Sequence, residues 1–436
     1  MPNATPNTPV DVALASTPCD MDNVPLLVSS ITALSERLAA SNSHEDRLQL
    51  LAKAHALVRA LETPRETMIR HLWASDTANA SLAIGYESGL FAQMAQGGGI
   101  AKTAAELAQA IGWTDTSFLA RILRHLAATG YIVETGPDEY LPTRFTNAMT
   151  IPMIGASYPF VLRTATSATA HLPEYIKPMT HSSGSKNRDT STLSAFQVAH
   201  STTLNVFEYT YSIGLANAFN LHLAGSSAGV ARWFDQGFYP VEDRLLAGIS
   251  NKSEGGGDVA PVLLVDMGGG KGWHIKEFGS RYAHVIREGG YRLVLQDLPS
   301  VVDDVSLDPN SEEKWKVETM AHDFFEEQPI RGARAYSLNR VLHDWEDEQC
   351  RQILHRIKDA MRPGYSRLLI NEVVVPRMGA KYEVTSQDLC MFMFTRAKER
   401  TEQDWYELLE RDTGLKIRHI WSVANATQSL IECEVV

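Results

Sequence analysis

The sequence "PVLLVDMGGGKGWHIKEFGSRY" (residues 261–282) runs from a continuous apolar segment through a glycine-rich turn into a helical pattern. An apolar run without alternation is typical of a strand buried on both faces of a parallel sheet. Gly268, Gly270 and Gly272 permit a tight turn and a close approach of backbone to ligand, and the N-terminus of the following helix carries a partial positive charge. The stretch therefore predicts a strand–turn–helix unit that binds a cofactor.

A second apolar strand, "YRLVLQDLPSVV" (residues 291–302), ends in Asp297, whose carboxylate is suited to accept both hydroxyls of a ribose. The cofactor could be a nicotinamide dinucleotide, a flavin or S-adenosylmethionine (SAM), and the glycines alone could form only a tight turn. Trp273 stands where a dinucleotide motif needs its third glycine, and Asp266 suits a cofactor with a cationic amino group. The combination favours SAM.

Strand-like and helical segments continue to alternate after residue 302, in "WKVETMAHDFFE" (315–326), "ARAYSLNRVLHDWEDEQC" (333–350) and "SRLLINEVVVP" (366–376). This alternation predicts an α/β domain with a doubly wound parallel sheet, similar to a Rossmann fold. In such sheets the ligands bind beyond the carboxyl ends of the strands. Because Asp323, His343 and Glu372 all follow strands, we expect them to converge on one edge.

The composition limits the classes of function. A formal charge of −12 over 436 residues argues against a nucleic-acid partner, and no apolar stretch approaches the length of a membrane span. Four scattered cysteines predict free thiols in a cytoplasmic enzyme, without a disulfide scaffold or zinc site. Residues 1–25 lack the basic start and apolar centre of a signal peptide, and we expect a disordered leader.

The N-terminal half is predicted to be mainly helical. Residues 26–72 have helical apolar spacing and form either domain core or a subunit interface. Residues 103–147 have the pattern of a winged helix, beginning with a capping box at Thr103 and Glu106. A DNA-binding function is disfavoured because acidic residues outnumber basic ones within 101–150. Polar breaks at 180–192 and 250–258 place the domain boundary near residue 190, which gives domains 26–190 and 191–436, with the helices of 195–250 packed on the second.

These motifs, in this order and spacing, resemble the class I SAM-dependent O-methyltransferases of the caffeate and flavonoid type, especially their fungal secondary-metabolism branch. The resemblance extends over roughly residues 50–436 and includes "RWFDQGFYPVEDRLLAG" (232–248) and "KERTEQDWYELLERDTGLK" (398–416). It implies SAM as the cofactor, a small aromatic or polyketide-type substrate, a homodimer, and a reaction that requires no metal.

The resemblance also implies roles for individual residues. His343 matches the general base that removes a hydroxyl proton, Glu372 matches the carboxylate that orients it, and Glu399 matches a second carboxylate beside it. The residues expected at the cofactor are Asp266, Gly268, Gly270, Asp297, Leu298, Asp323, Phe324, Asn339 and Trp345, and those expected at the acceptor are Asp388 and Met391. The alternative for His343 is a buried structural imidazole at a strand end, and the alternative for Met391 is core filling.

Departures from the family pattern keep other functions open. Asn339 stands where the family carries a Lys or Arg, a charge that Arg340 could supply, and the segment 171–211 near the expected acceptor pocket matches poorly. The family that the sequence resembles includes members that keep SAM bound as a fixed charge and catalyse dehydration or a pericyclic reaction. The presence of His343, Glu372 and Glu399 in this sequence favours methyl transfer. A SAM-sensing DNA regulator and a metal-dependent catechol methyltransferase are weaker alternatives.

Overall fold

The computed structural model describes residues 11–181, 193–249, 260–303 and 317–436, and backbone contacts divide the chain into two units. The first unit is Met1–Thr166 with Thr210–Ala228, and the second is Ser167–Tyr209 with Gly229–Val436. The predicted boundary near residue 190 and the polar break at 250–258 lie outside the described residues. The units differ from the predicted domains in two places, since residues 167–181 belong to the second unit and Thr210–Ala228 to the first. In the first unit Gly225 lies so close to Met153 that an added Cβ would be 2.2 Å from its carbonyl oxygen.

The part of the chain up to residue 226 is mainly helical. The α-helices up to residue 226 are α1 (Val24–Ser41), α2 (His44–Leu61), α3 (Pro64–Ile69), α4 (Asp76–Glu87), α5 (Leu90–Ala95), α6 (Ala104–Ala110), α7 (Thr116–Ala128), α8 (Arg144–Ala148), α9 (Pro152–Gly155), α10 (Ser157–His181), α11 (Ala195–Ala199), α12 (Val206–Ser212) and α13 (Ala216–Ser226). The strands β1 (Lys102–Thr103), β2 (Ile132–Gly136) and β3 (Glu139–Pro142) form an antiparallel sheet in the order β1-β3-β2.

The region 103–147 contains α6, α7 and the β2–β3 hairpin, and α8 begins at its end. The capping box of α6 is confirmed, since Glu106 N–H donates to Thr103 Oγ1 and Thr103 N–H donates to Glu106 Oε2 (3.2 and 2.7 Å). α6 and α7 pack through fully buried leucines, among them Leu107 and Leu123.

The end of the expected leader is ordered in the structure. Residues 1–10 lie outside the described part of the chain, but Val12–Ser16 and Met21–Asn23 form 3₁₀ turns. The backbone N–H groups of Cys19 and Asp20 donate to the carbonyls of Glu62 and Ala60 at the end of α2. The prediction of disorder is therefore wrong for residues 11–25, because α2 leaves carbonyl groups that this segment satisfies.

The second unit contains the remaining elements. Its strands are β4 (Val262–Met267), β5 (Arg292–Asp297), β6 (Val317–Ala321), β7 (Ala335–Asn339), β8 (Arg367–Glu372), β9 (Val374–Val375), β10 (Arg400–Thr401), β11 (Lys416–Trp421) and β12 (Ser429–Glu434). Its later helices are α14 (Trp273–Arg281), α15 (Ala283–Gly289), α16 (Pro299–Val302), α17 (Asp347–Ala360), α18 (Tyr382–Thr395) and α19 (Glu402–Tyr406), with π-helical turns at Glu242–Leu246 and Glu407–Asp412.

A largely parallel sheet organises the second unit, as the sequence predicts. Among the described residues seven strands pair in the order β11-β12-β8-β7-β4-β5-β6. The five from β6 to β8 are parallel, whereas β12 and β11 are antiparallel. The chain moves outward from β4 to β6 and then returns to β7 on the other side of β4. The carboxyl ends of β4 and β7 therefore form the switch point at which such sheets bind ligands.

Both faces of this sheet are covered by apolar side chains. Along β4, Val265 and Met267 join the cluster that includes α17, whereas Leu264 joins the cluster that includes α14 and α15. The residues from Leu263 to Met267 are all buried, which confirms the prediction of a strand enclosed on two faces.

No helix among the described residues is long and apolar enough to cross a bilayer. The four cysteines are free, with Cys350 and Cys433 buried and Cys19 exposed.

The buried guanidinium of Arg334 ties the Glu242–Leu246 turn to the start of β7. Its N–H groups donate to the carbonyls of Leu245, Arg244 and Ala247 (2.7, 2.9 and 2.9 Å) and to that of Tyr365. We expect Arg334→Met to lower the free energy of unfolding by at least ~1–3 kcal/mol, because buried carbonyls lose their donors.

Urea unfolding followed by circular dichroism measures this effect. The control is Arg331→Met, which removes an exposed ion pair with Glu327 and an exposed hydrogen bond to the carbonyl of Asp359, and should cost less than about 1 kcal/mol. Equal losses in the two variants would contradict the role assigned to Arg334.

Candidate active site

The glycine turn after β4 is a backbone cradle at the carboxyl end of the sheet. Gly268, Gly270 and Gly272 have left-handed conformations with φ of 66°, 58° and 73°. A Cβ on Gly269 would lie 2.4 Å from Leu295 Cδ1 and 2.6 Å from Asp266 Oδ2. The turn therefore depends on glycine both for its conformation and for the space it leaves.

Asp266 is a buried carboxylate directly below this turn. Ser337 Oγ donates to its Oδ1 (2.7 Å), while Oδ2 has no hydrogen-bond partner among the described residues. Burial raises the pKa of Asp266 to about 6. A buried carboxylate oxygen without a donor is costly, and the ammonium group of a bound cofactor would satisfy it.

Asp297 lies at the end of β5 and faces the same turn. Gly270 N–H donates to its Oδ2 and Leu298 N–H to its Oδ1, both at 2.8 Å. Burial raises the pKa of Asp297 even though these two donors oppose the shift. The carboxylate is thus fixed in orientation beside the glycine turn, and Leu298 next to it is exposed.

Aromatic side chains form a wall at the ends of β6 and β7. The ring of Trp345 lies 5.9 Å from that of Phe324 and 4.9 Å from that of Phe325, edge to face in both pairs. Gly268 lies close to this wall, since a Cβ there would be 3.5 Å from Phe324. The exposed Asp323 accepts the N–H of Phe325 and shapes the turn that carries these rings.

These features fit SAM, whose ammonium, ribose and adenine match an unpaired carboxylate, a fixed acid and an aromatic wall. Asp266, Asp297 and Phe324 are the residues of this chain that would hold those three groups. The fit depends on the unsatisfied Asp266 Oδ2 and on the space that Gly269 leaves open.

His343 lies in a 3₁₀ turn, Leu342–Asp344, directly after β7, and is buried. Its Nδ1 is 2.8 Å from Glu399 Oε1. Because a carboxylate only accepts, Nδ1 carries the hydrogen in the neutral imidazole and Nε2 keeps its lone pair. No described residue hydrogen-bonds Nε2, and the nearest carboxylate atom, Asp344 Oδ1, is 3.7 Å away.

Glu372 and Glu399 exchange the positions expected of them. Glu372 Oε1 accepts the backbone N–H groups of Val341 and Leu342 (2.7 and 2.8 Å), and its Oε2 is 3.8 Å from His343 Nδ1. The prediction that Glu372 orients the imidazole is therefore wrong, because the oxygen that the turn leaves free, Oε2, is 3.8 Å from Nδ1 and beyond hydrogen-bond distance. Glu399 makes the orienting hydrogen bond.

The carboxylates around His343 decide its charge. Burial alone would lower the pKa of His343, but Glu372, Asp344 and Glu399 outweigh burial and raise it to about 9. Burial raises the pKa values of Glu372 and Asp344, and the imidazolium opposes those shifts. At neutral pH, without a bound cation, the side chain of His343 is therefore the doubly protonated imidazolium.

Arg400 is a site residue that the sequence reasoning missed. It is 1% exposed and donates to the carbonyls of Leu342 and Trp345 (2.8 and 3.0 Å) and to Asp347 Oδ1. Its guanidinium holds the turn of His343 from the carbonyl side, as Glu372 holds it from the N–H side. The motif "KERT" contains this arginine, but nothing local in the sequence shows that it points inward.

The remaining predicted residues have defined contacts. Asn339 Oδ1 accepts from Asn371 Nδ2 (2.8 Å) across the β7–β8 pair. Asp388 Oδ1 accepts the backbone N–H of Glu399 (2.8 Å), so it supports a neighbour of the imidazole. Met391 is half-buried on α18.

A metal ion is a second chemistry that this geometry permits. One ligand atom each from His343, Glu372 and Glu399 lies within 4.8 Å of the others. On each glutamate one oxygen already accepts a donor, since Glu372 Oε1 takes the backbone and Glu399 Oε1 takes Nδ1–H, while the second oxygen of each has no hydrogen-bond partner among the described residues. That a metal is not required remains our prediction.

Comparison with known proteins shows the family. The O-methyltransferase domain family matches residues 197–414. The O-methyltransferase mpaG of Penicillium brevicompactum is 32% identical over 414 residues, which cover 93% of this chain and 99% of that protein. The chain therefore belongs to the O-methyltransferase family, whose cofactor is SAM.

Solved structures share the fold over nearly the whole chain. LepI in complex with SAM has a TM-score of 0.78 at 25% identity, covering 94% of this chain and 100% of that one. A pericyclic reaction enzyme has a TM-score of 0.77 at 25% identity, with 94% and 99% covered. OxaC in complex with sinefungin and meleagrin has a TM-score of 0.78 at 26% identity, with 95% and 100% covered.

The space at Gly269 yields a test of the cofactor cradle. We expect Gly269→Ala to weaken SAM binding about tenfold or more, because overpacking strain of ~1–3 kcal/mol must be relieved by moving Asp266 or Leu295. Isothermal titration calorimetry with SAM measures the change.

Gly290→Ala is the matched control, since Gly290 ends α15 in a left-handed conformation with no atom within 4 Å of the added Cβ. It should leave SAM affinity unchanged. A folded Gly269→Ala protein that binds SAM like the wild type would refute the cradle.

Proposed function

We propose that the protein transfers the methyl group of SAM to a hydroxyl of a small aromatic or polyketide-type metabolite, with His343 as the general base. The observation that carries the proposal is the hydrogen bond from His343 Nδ1 to the buried Glu399, which leaves Nε2 as the basic atom. A hydroxyl becomes a good nucleophile when a positioned base removes its proton in a pocket with little water.

The roles of the chain's own residues follow from their contacts. His343 Nε2 takes the hydroxyl proton, and Glu399 holds the tautomer and stabilises the imidazolium that forms. Glu372 and Arg400 fix the turn from both sides, so that the imidazole does not reorient. SAM, when bound, supplies an electrophilic methyl group on a positively charged sulfur, and its charge favours the neutral imidazole needed at the start.

A SAM-dependent pericyclase or dehydratase is the second candidate. A solved relative of the same fold is a pericyclic reaction enzyme, and the pKa of His343 near 9 would also suit an imidazolium that donates a hydrogen bond. The two candidates require opposite protonation states of His343. We favour methyl transfer because Glu399 leaves Nε2 free to accept a proton.

The wider setting is part of the proposal. We propose a cytoplasmic homodimer that pairs through the helical arm α1–α2, whose exposed apolar residues include Leu26, Leu51 and Val58. The α6–α7 and hairpin region would be a winged helix that serves assembly and not DNA binding, since its charge is slightly acidic.

Replacement of the base is the first test. We expect His343→Ala to reduce methyl transfer by about 10²–10⁴-fold, the usual contribution of a general base, while SAM affinity stays unchanged. The assay incubates purified protein and methyl-labelled SAM with phenols, enols and pyridones in a chelating buffer. Mass spectrometry follows label in each product together with S-adenosylhomocysteine. The control is His355→Ala, an exposed histidine on α17.

Each outcome of this assay has one meaning. Labelled product in the wild type that is lost in His343→Ala supports the proposal. Turnover retained by His343→Ala refutes the role of His343, and activity lost to the chelator refutes the absence of a metal. A substrate that isomerises or loses water while SAM stays intact identifies the pericyclase or dehydratase.

Methyl transfer and the pericyclase or dehydratase reaction should depend on pH in opposite directions. Because the pKa of His343 is raised to about 9, the neutral imidazole is scarce below that pH. We expect kcat/KM for methyl transfer to rise with pH and to level off on the alkaline side of neutrality. A reaction that needs the imidazolium would instead slow as the pH rises through the same range.

Glu399→Gln checks the cause of that profile. Loss of a carboxylate that raises the pKa of His343 should move the plateau to lower pH and reduce its height, since the imidazole is also less well oriented. An activity profile that rises over the same pH range as in the wild type would rule out Glu399 as a source of the shift.

A further inference from the structure

Gln387 on α18 contacts both members of the proposed base pair, and no motif in the sequence singles it out. Its Nε2 donates to Glu399 Oε1 at 2.8 Å and lies 3.3 Å from His343 Nδ1. Since Nδ1–H also donates to Glu399 Oε1, two donors share one acceptor oxygen and do not bond to each other. The amide orientation follows from this network, because the opposite orientation would set its carbonyl against a carboxylate.

We propose that Gln387 is a positioning residue that sets the basicity of His343 through the carboxylate that the two residues share. This inference rests on the proposed role of His343 as the base. The amide donates to the same oxygen that attracts the imidazolium and therefore weakens that attraction. Without the amide, Glu399 would hold the proton on His343 more strongly and the base would be occupied over a wider pH range.

The other groups that face His343 differ from Glu399 in this respect. Glu372 approaches from β8 at 3.8 Å, and Asp344 approaches from the turn of His343 itself at 3.7 Å, near Arg340. Glu372 is saturated on one oxygen by backbone N–H groups. Glu399 accepts from a neutral side chain as well as from the imidazole, so a substitution at Gln387 changes its charge environment without breaking the turn.

A structural role for Gln387 would be to attach α18 to the segment of Glu399. Asp388, the next residue, already makes that attachment by accepting the backbone N–H of Glu399 at 2.8 Å. The amide of Gln387 is therefore not needed to hold the helix there. It acts on an oxygen of one of the three carboxylates that raise the pKa of His343, the one that is hydrogen-bonded to the imidazole.

Three substitutions at Gln387 should shift the pKa of His343, two of them upward and one downward. Gln387→Leu removes the donor, and Gln387→Glu replaces it with a negative charge at the same length, so both should raise the pKa of His343, the second more than the first. Gln387→Lys keeps a donor and adds a positive charge, so it should lower the pKa. A shift of one unit changes the neutral fraction about tenfold at pH values below the pKa.

The pKa is measured directly, by NMR titration of the full-length protein with ¹³C-labelled histidine. His343→Ala identifies the signal among the 14 histidines. The pH profile of kcat/KM for methyl transfer is recorded on the same variants, with SAM affinity and thermal unfolding measured in parallel. Leu389→Ala, at an exposed position on the same helix, is the matched control.

The expected result is an ordered shift, with Lys below, Leu above and Glu highest, in both the titration and the activity profile, with unchanged SAM affinity. Variants that lose activity at every pH while the His343 signal titrates as in the wild type would show a structural role and overturn the inference. That failure is distinct from failure of the proposed function, in which His343→Ala retains methyl transfer.

Discussion

The hydrogen bond between His343 and Glu399 sets the constraint on which the site depends. An imidazole buried among three carboxylates cannot remain neutral at neutral pH without some compensating positive charge. Burial of the carboxylates is equally unfavourable unless a proton or another cation is shared with them. The site is therefore an electrostatic unit whose lowest-energy state changes when a cation enters, and SAM carries such a charge.

The backbone around the imidazole is held by the same charges. Glu372 accepts the N–H groups of Val341 and Leu342, and Arg400 donates to the carbonyls of Leu342 and Trp345. A short turn at a strand end leaves backbone groups unpaired, and here two buried ions pair them from opposite sides. The turn that carries His343 is therefore held by buried ions, although Glu372 and Glu399 each keep one oxygen without a partner among the described residues.

The sequence predicted the sheet well because its strongest signals are local. The apolar run of β4 and the glycines after it leave few alternatives, and the strand ends brought Asp297, Phe324 and Trp345 to one edge. The antiparallel strands β11 and β12 carry no such signal, because Glu432 and Glu434 interrupt a segment that is nevertheless buried. Arg367 forms ion pairs with both acids, and these ion pairs compensate for their burial in the strand.

Roles within the site were harder to predict, because they depend on distances between side chains in the folded protein and not on the order of residues in the sequence. Glu372 and Glu399 are both glutamates near a histidine, and sequence spacing does not show which one has its oxygens occupied by backbone. Gln387 occupies a position on α18 that, without coordinates, is indistinguishable from a solvent-facing one. Its importance arises from a contact between segments 12 residues apart that a helix and a turn bring together.

The relation between methyl transfer and pericyclic chemistry on this fold follows from the same electrostatics. A site that binds a cationic cofactor beside a histidine surrounded by carboxylates can use the histidine as a base when the cation lowers its pKa, or as a hydrogen-bond donor when the proton remains. The fold supplies the field in both cases, and the hydrogen-bonding partners of one imidazole select between them. In this chain Glu399 fixes Nδ1 as the donor and Gln387 limits how strongly the proton is held. Together these two residues favour a neutral imidazole whose Nε2 accepts a proton.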